Sequence, residues 1–162
     1  MNIINIIAAA DVNNGIGLDN KLPWYNPEDL KWFSKITKGN KKNAIIMGKN
    51  TWKSLPKRPL PNRDNLILTT KDELNGENYK SFTNEESLWE YCKKKSYEEI
   101  WIIGGGKIYE YFIEKPYITN IYISRIKENY NCDTFFPNIP ERLKLLKIDK
   151  INSLEIEIYS SS

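Results

Sequence analysis

The chain has 162 residues, with 24 Lys and Arg against 21 Asp and Glu, a net charge of +3 and no histidine. The missing histidine removes His-based triads, His general bases and most zinc sites, and no metal-type spacing joins Cys92 to Cys132. The lysines are scattered among acids, so no electrostatic footprint for nucleic acid appears. The apolar start lacks a basic n-region and is too short to span a bilayer. Two cysteines without an export signal make the reduced cytoplasm the expected compartment. The length suits one domain, residues 1–162, with a sizeable core.

In chain order, residues 1–10 form a near-continuous apolar run, as expected of a central strand covered on both faces. Residues 11–21 read as a long loop with two glycines, Gly15 and Gly17, and loops of this length often act as lids. Asn26 then offers an N-cap and Pro27 a first helical residue, for a helix reaching 37 and ended by Gly39-Asn40. At about 100° per residue, Glu28, Lys31, Lys35 and Lys38 make one polar stripe. Asp29, Phe33 and Ile36 fall opposite it. The Asp29 carboxylate therefore faces inward, which is costly unless it is paired, hydrogen-bonded or protonated. Position alone leaves two readings open: a partner for the helix dipole, or a desolvated acid placed for binding or protonation.

Residues 43–47 predict a second buried strand, and 48–55 a turn into a short helix. Three prolines between 56 and 63 forbid regular structure there, leaving a stiff surface loop that carries Arg58 and Arg63. Strands are predicted over 66–70 and 79–82. Thr83 with Glu86 reads as a capping box for a helix to about 95. A buried strand over 100–103 runs into Gly104-Gly105-Gly106, and a helix follows over 107–113, stopped before Pro116. Residues 120–126 alternate, with Ser124 on the face of Tyr122. A loop over 129–140 and a hairpin of 143–150 with 154–159 complete the chain. The pattern predicts an α/β fold: a central, mainly parallel sheet of about eight strands, a C-terminal antiparallel hairpin and about four flanking helices.

In such sheets ligands bind outside the carboxyl ends of the strands. The loops beginning at 11, 48 and 104 lie there, and the last two precede helices whose N–H groups could hold phosphate. Neither is a P-loop or a GxGxxG, and a triple glycine suits a tight turn equally well. Lys49, Thr51, Thr70, Lys71 and Lys107 all follow strand ends, which suits a multiply phosphorylated ligand, while any one lysine alone equally suits a solvated surface.

Ile16-Gly17, Leu22-Pro23-Trp24, Asp29-Leu30 with Phe33, Met47-Gly48-Lys49-x-Thr51-Trp52 and Arg58-Pro59-Leu60-Pro61-Asn62-Arg63 occur in one order. Ile102-Ile103-Gly104-Gly105-Gly106-x-Ile108-Tyr109 and Asp133-Thr134-x-Phe136-Pro137 continue it. In register from the first strand to about Pro137, the chain resembles dihydrofolate reductase of the bacterial, monofunctional type; nothing in it resembles a fused thymidylate synthase. The riboflavin-synthesis reductases share the glycine turn, but Leu-Pro-Trp followed by Asp29 is not expected of them. A nucleic-acid module fits poorly, because the aromatics stand at core-like positions.

The resemblance implies NADPH-dependent reduction of 7,8-dihydrofolate to tetrahydrofolate for one-carbon metabolism and nucleotide synthesis. Hydride goes to the pterin imine carbon and a proton to the adjacent nitrogen. It implies that Asp29 grips the pterin edge and promotes protonation, that Ser124 hydrogen-bonds Asp29, that Trp24 holds a water, and that Leu22 of the lid lies near the nicotinamide. Ala8, Leu30, Phe33, Leu55, Ile103 and Tyr109 would line the substrate, with Leu60 beside its tail and Arg63 taking the tail's α-carboxylate as a fork. The backbone of Ala9 and Ile16 would hold the nicotinamide amide, with Gly17 beside them. Thr51, Gly105, Gly106 and Lys107 would follow the pyrophosphate, and Lys49, Thr70 and Lys71 the 2′-phosphate. Gly48, Thr69, Ile103, Ile108 and Tyr109 would complete the cofactor walls. The family's Gly104–Gly105 peptide is cis. No metal, nucleic acid or membrane partner is implied, and a monomer is expected. Ser124 stands where threonine is usual, and Lys49 where arginine is frequent, which exchanges a fork for a point charge. The short turn of the terminal hairpin puts switching of the lid in question.

Overall fold

The fold was read from a computed structural model, which describes residues 3–19, 21–71 and 74–161. The apolar runs become strands whose side chains alternate between two helical layers. In chain order these are β1 (Ile3–Ala10), β2 (Gly15–Gly17), α1 (Pro27–Lys38), β3 (Ala44–Gly48), α2 (Lys49–Ser54), β4 (Asp64–Leu68), β5 (Asn75–Gly76) and β6 (Tyr79–Phe82). There follow α3 (Glu85–Lys95), β7 (Glu99–Gly104), α4 (Gly106–Ile113), β8 (Asn120–Arg125), β9 (Thr134–Phe135), β10 (Lys144–Ile151) and β11 (Leu154–Ser160). Nine strands form one sheet in the order β10-β11-β8-β1-β7-β3-β4-β6-β5, and β2 pairs with β9 separately. The six strands from β8 to β6 in that order are parallel, while β11, β10 and β5 run antiparallel to their neighbours.

The period of two sorts the core. Ile7, Ile45, Met47, Ile67 and Trp101 face α1 and α2, where Trp32, Phe33, Ile36, Trp52 and Leu55 meet them. Ile4, Ile6, Ile46, Leu66, Ile100 and Ile102 face α3 and α4, against Leu88, Cys92, Phe112 and Ile113. The parallel strands end together, so the loops after Ala10, Gly48, Leu68, Gly104 and Arg125 emerge along one edge of the sheet.

The expected fold class holds, with one more strand in the main sheet than the approximate count and with shifted boundaries. Residues 1–2 of the first predicted strand lie outside the described residues. The strand expected over 66–70 covers Asp64–Leu68, so Thr69 and Thr70 follow it. The loops 11–21 and 129–140 each contain a short strand, β2 and β9. Neither carries a pattern, since two or three residues are too few to show a period. The capping box at Thr83 is a correction: Asn84 is the N-cap of α3, and its side chain accepts from Ser87 N. Thr83 and Asn84 are both good caps, and the chain uses the second.

α3 is tied to α4 through Glu85, whose carboxylate accepts from Trp89 Nε1 at 2.7 Å and Tyr117 OH at 2.6 Å, and also from Tyr111 OH, with Lys115 Nζ at 4.0 Å. Burial raises the Glu85 pKa, but these hydrogen bonds and Lys115 outweigh it, and the net shift is downward. An acid lowered on folding adds stability above its unfolded pKa and loses it as pH falls through the folded one. Glu85→Ala is expected to lower the Tm by ~3 °C, for a partly exposed cluster worth roughly 1 kcal/mol. The gap between wild type and variant should close below about pH 4 in thermal scans.

Candidate active site

α1 starts as its sequence dictates: the Asn26 side chain accepts from Asp29 N at 3.1 Å, and Pro27 occupies the first helical position. This fixes the first turn and points Asp29 inward, where it is 9% exposed. Desolvation raises its pKa, and Ser124 offsets part of the rise. The Ser124 hydroxyl is close enough to act on the carboxylate, yet it is buried without a hydrogen-bond partner. Ser124 Oγ therefore faces the acid, as the resemblance implied, but outside strict hydrogen-bond geometry. Trp24 Nε1 is a second buried polar atom without a partner, while its ring packs 5.4 Å from that of Tyr130.

Below the acid lies Tyr109, its hydroxyl 2.8 Å from the carbonyl oxygens of both Ile7 and Ile103. Burial and then the charge of Asp29 push the phenol pKa up. Gly104 has φ +114, and a Cβ there would come within 3.0 Å of the Tyr109 ring, so only glycine fits. The Gly104–Gly105 peptide is cis, as the resemblance implied. Ala8 and Ala9 pair with Ile123 and Ser124 across β1 and β8. Phe33, Leu55, Leu60 and Ile103 pack together on the α1 face. Leu22 and Leu30 stay exposed.

An acid raised by folding binds more protons in the folded chain than in the unfolded one. Its contribution to stability is complete below the unfolded pKa and is lost as pH rises through the folded pKa. Asp29→Asn is therefore expected to unfold a few degrees above the wild type at neutral pH, with the advantage vanishing near pH 4; calorimetry across that range checks it.

The loop over 56–63 is irregular and largely at the surface, as expected, but the Arg63 side chain turns inward at its end. Arg63 is 4% exposed, with Nη1 donating to Thr37 Oγ1 at 2.9 Å, Nε to Pro61 O at 2.8 Å and Nη2 to Ser34 Oγ at 3.4 Å. Thr37 in turn donates to Phe33 O. The guanidinium is thus held against the last turns of α1, and three bonds leave part of its five-donor fork unspent. Eight residues of helix separate Thr37 from Asp29, about 12 Å of rise. Thr37 and Ser34 were not singled out from sequence, although Thr37 lies toward the inward stripe.

On the other side of the strand ends, α4 begins at Gly106 with Gly105 as an N-cap that makes no side-chain bond, so its first N–H groups are open. A Cβ on Gly105 would come 3.4 Å from Thr51 Oγ1, and one on Gly106 would meet Thr134 at 2.9 Å and Ile16 Cδ1 at 3.9 Å. Thr51, Gly105, Gly106 and Ile16 therefore share one cradle, and Ile108 lies against Gly48. Lys49 and Thr69 are half-buried, and Thr70, Lys71 and Lys107 are exposed at the same edge. These groups fit a phosphate-bearing cofactor: open N–H groups, a hydroxyl and lysines, with no side chain filling the cradle. No group of acids and cysteines among the described residues could hold a metal ion, and no helix is long and apolar enough to cross a membrane.

Such a strand-end cradle beside one desolvated acid, in a mainly parallel sheet, suits a phosphate-bearing ligand held against an ionisable group. The family model described as dihydrofolate reductase matches residues 3–158. The dihydrofolate reductase of Aedes albopictus is 37% identical, over 92% of this chain and 87% of its own length, and that of Drosophila melanogaster 35%, over 94% and 89%. The bifunctional dihydrofolate reductase-thymidylate synthase of Daucus carota is 39% identical over 84% of this chain and 28% of its own length. The chain belongs to the dihydrofolate reductase family. Its reaction is the reduction of dihydrofolate to tetrahydrofolate with a nicotinamide cofactor.

Proposed function

We propose that the chain uses NADPH, in the cytoplasm, and that Asp29 anchors the pterin while Arg63 anchors the glutamate tail. One observation carries the reading: a buried carboxylate and a buried guanidinium stand near opposite ends of the same helix. A folate is long and apolar in its middle, with donors at one end and carboxylates at the other. Asp29 accepts a bidentate pair from the amino-pyrimidine edge, and Phe33, Leu55 and Ile103 cover the rings. Arg63 takes the α-carboxylate with the N–H groups that Thr37, Ser34 and Pro61 leave free, and Leu60 packs beside it. Thr37 keeps the fork aimed.

NADPH, when bound, supplies the hydride; the chain's own part is positioning and proton supply. Gly105, Gly106, Thr51 and Lys107 hold the pyrophosphate, Lys49, Thr70 and Lys71 the 2′-phosphate, and Ala9 and Ile16 the nicotinamide amide. Asp29, desolvated and with a raised pKa, favours protonation of the imine nitrogen beside the hydride-accepting carbon, through water. Trp24 Nε1 and Ser124 Oγ, two of the buried donors outside strict hydrogen-bond geometry, hold that water and steady the carboxylate. Leu22 closes over the ring from the lid.

Mixing the protein with NADPH and dihydrofolate and following the reduced-nicotinamide absorbance tests the reading: loss of absorbance that requires both supports it, and none overturns it. NADPH should be preferred over NADH by roughly 10²-fold in kcat/KM, for two charge-assisted contacts of about 1.5 kcal/mol each. Equal values would contradict the role given to Lys49, Thr70 and Lys71.

A further inference from the structure

Asp11, the first residue after β1, is fully buried, and the reaction as described does not use it. Its Oδ1 accepts from Asn13 N at 2.9 Å and Gly15 N at 2.8 Å. Oδ2 accepts from Tyr130 N at 3.0 Å and lies 3.7 Å from the Cys132 thiol. One carboxylate therefore holds the start of the lid loop and the loop after β8 at once. Its backbone carbonyl accepts from Arg125 Nη1 at 2.8 Å, and the same nitrogen donates to Asn14 Oδ1. Arg125 is itself gripped by Glu157 through Nε and Nη2 at 2.9 and 2.8 Å.

The crowding around the clamp is tight. A Cβ on Gly15 would come 2.5 Å from Cys132 Cβ and 3.0 Å from Asp11 Oδ1. Past the clamp the two loops pair as β2 and β9, and Asp133 accepts from Asp19 N. This pairing sets Ile16 and Thr134 beside Gly106 at the start of α4. An ionised carboxylate suits the clamp because every group directed at it is a donor, whereas an amide would turn an NH₂ toward an N–H.

We infer that Asp11 is a positioning residue for the cofactor end of the site. It joins the lid loop to the loop 126–134, so that Ile16 stands where the nicotinamide amide is held. The inference rests on the cofactor reading above and deepens it.

The test is Asp11→Asn, nearly isosteric, with Asp11→Ala beside it, both in the full chain. Four readouts are taken: NADPH affinity, the single-turnover rate of dihydrofolate reduction, dihydrofolate affinity without cofactor, and amide hydrogen exchange. Loss of one or two hydrogen bonds to a charged acceptor predicts an NADPH Kd about tenfold higher and a single-turnover rate about tenfold lower in Asp11→Asn. Dihydrofolate affinity should stay within about twofold. Exchange should quicken together over 12–17 and 126–134 while β1 and β7 keep their protection. Unchanged NADPH affinity and rate in Asp11→Asn would overturn the role, as would equal losses for both ligands, the mark of a merely structural residue. A wild-type protein that does not oxidise NADPH with dihydrofolate would overturn the cofactor reading instead. The coupled exchange of the two loops would then decide on its own whether Asp11 joins them.

Discussion

Asp29→Asn is expected to lose roughly 10²–10⁴-fold in kcat/KM for dihydrofolate at pH 7 while binding NADPH as tightly as the wild type, the range that positioned proton transfer supplies. The substitution keeps the volume, the helix start and the Asn26 cap, since the cap engages the backbone N of Asp29 and not its side chain. Two things change. The amide can accept only one of the two hydrogen bonds offered by an amino-pyrimidine edge, and it carries no charge to favour a proton on the ring. With no histidine in the chain, and Tyr109 buried with its hydroxyl against two carbonyls, no neighbouring acid stands ready to replace it. The cofactor cradle lies across the strand ends at Gly105 and Thr51 and should be untouched. Steady-state assays with a fluorescence titration of NADPH separate the two effects.

Arg63→Ala is expected to raise the KM for dihydrofolate about 10²-fold or more, with kcat within about threefold. Truncating one partner of a buried, hydrogen-bonded charge pair costs roughly 2–5 kcal/mol, and the tail's contact is equally strong in ground and transition states. A pterin without the glutamate tail should bind wild type and variant alike, which isolates the fork from general damage. Stability should also fall, because Thr37, Ser34 and Pro61 lose their shared donor. Arg63→Lys should recover little of the affinity, since a point charge cannot reproduce the fork.

The two anchors differed in how far sequence exposed them. The inward face of Asp29 follows from helical period, because Glu28, Lys31, Lys35 and Lys38 define the wet side without reference to any other element. Arg63 could not be placed that way. Three prolines imply an exposed loop, and the burial of its guanidinium depends on hydroxyls of α1, far away in the chain. The parallel core strands were legible as unbroken apolar runs, whereas β2, β5 and β9 are too short for any pattern. Asp11 escaped notice for a related reason. An aspartate at the head of a glycine-containing loop looks like ordinary turn chemistry, and only the fold brings Tyr130 and Cys132 to its second oxygen.

The central claim is that one desolvated carboxylate, Asp29, supplies the ionisation on which the reaction turns. Its most direct test is the single-turnover rate of dihydrofolate reduction, measured from pH 4 to pH 9 with saturating NADPH, for wild type and Asp29→Asn side by side. The account predicts a wild-type profile governed by one ionisation above the usual carboxylate range, and a variant profile that is far lower and lacks it. A variant that matches the wild type in height and shape would contradict the claim.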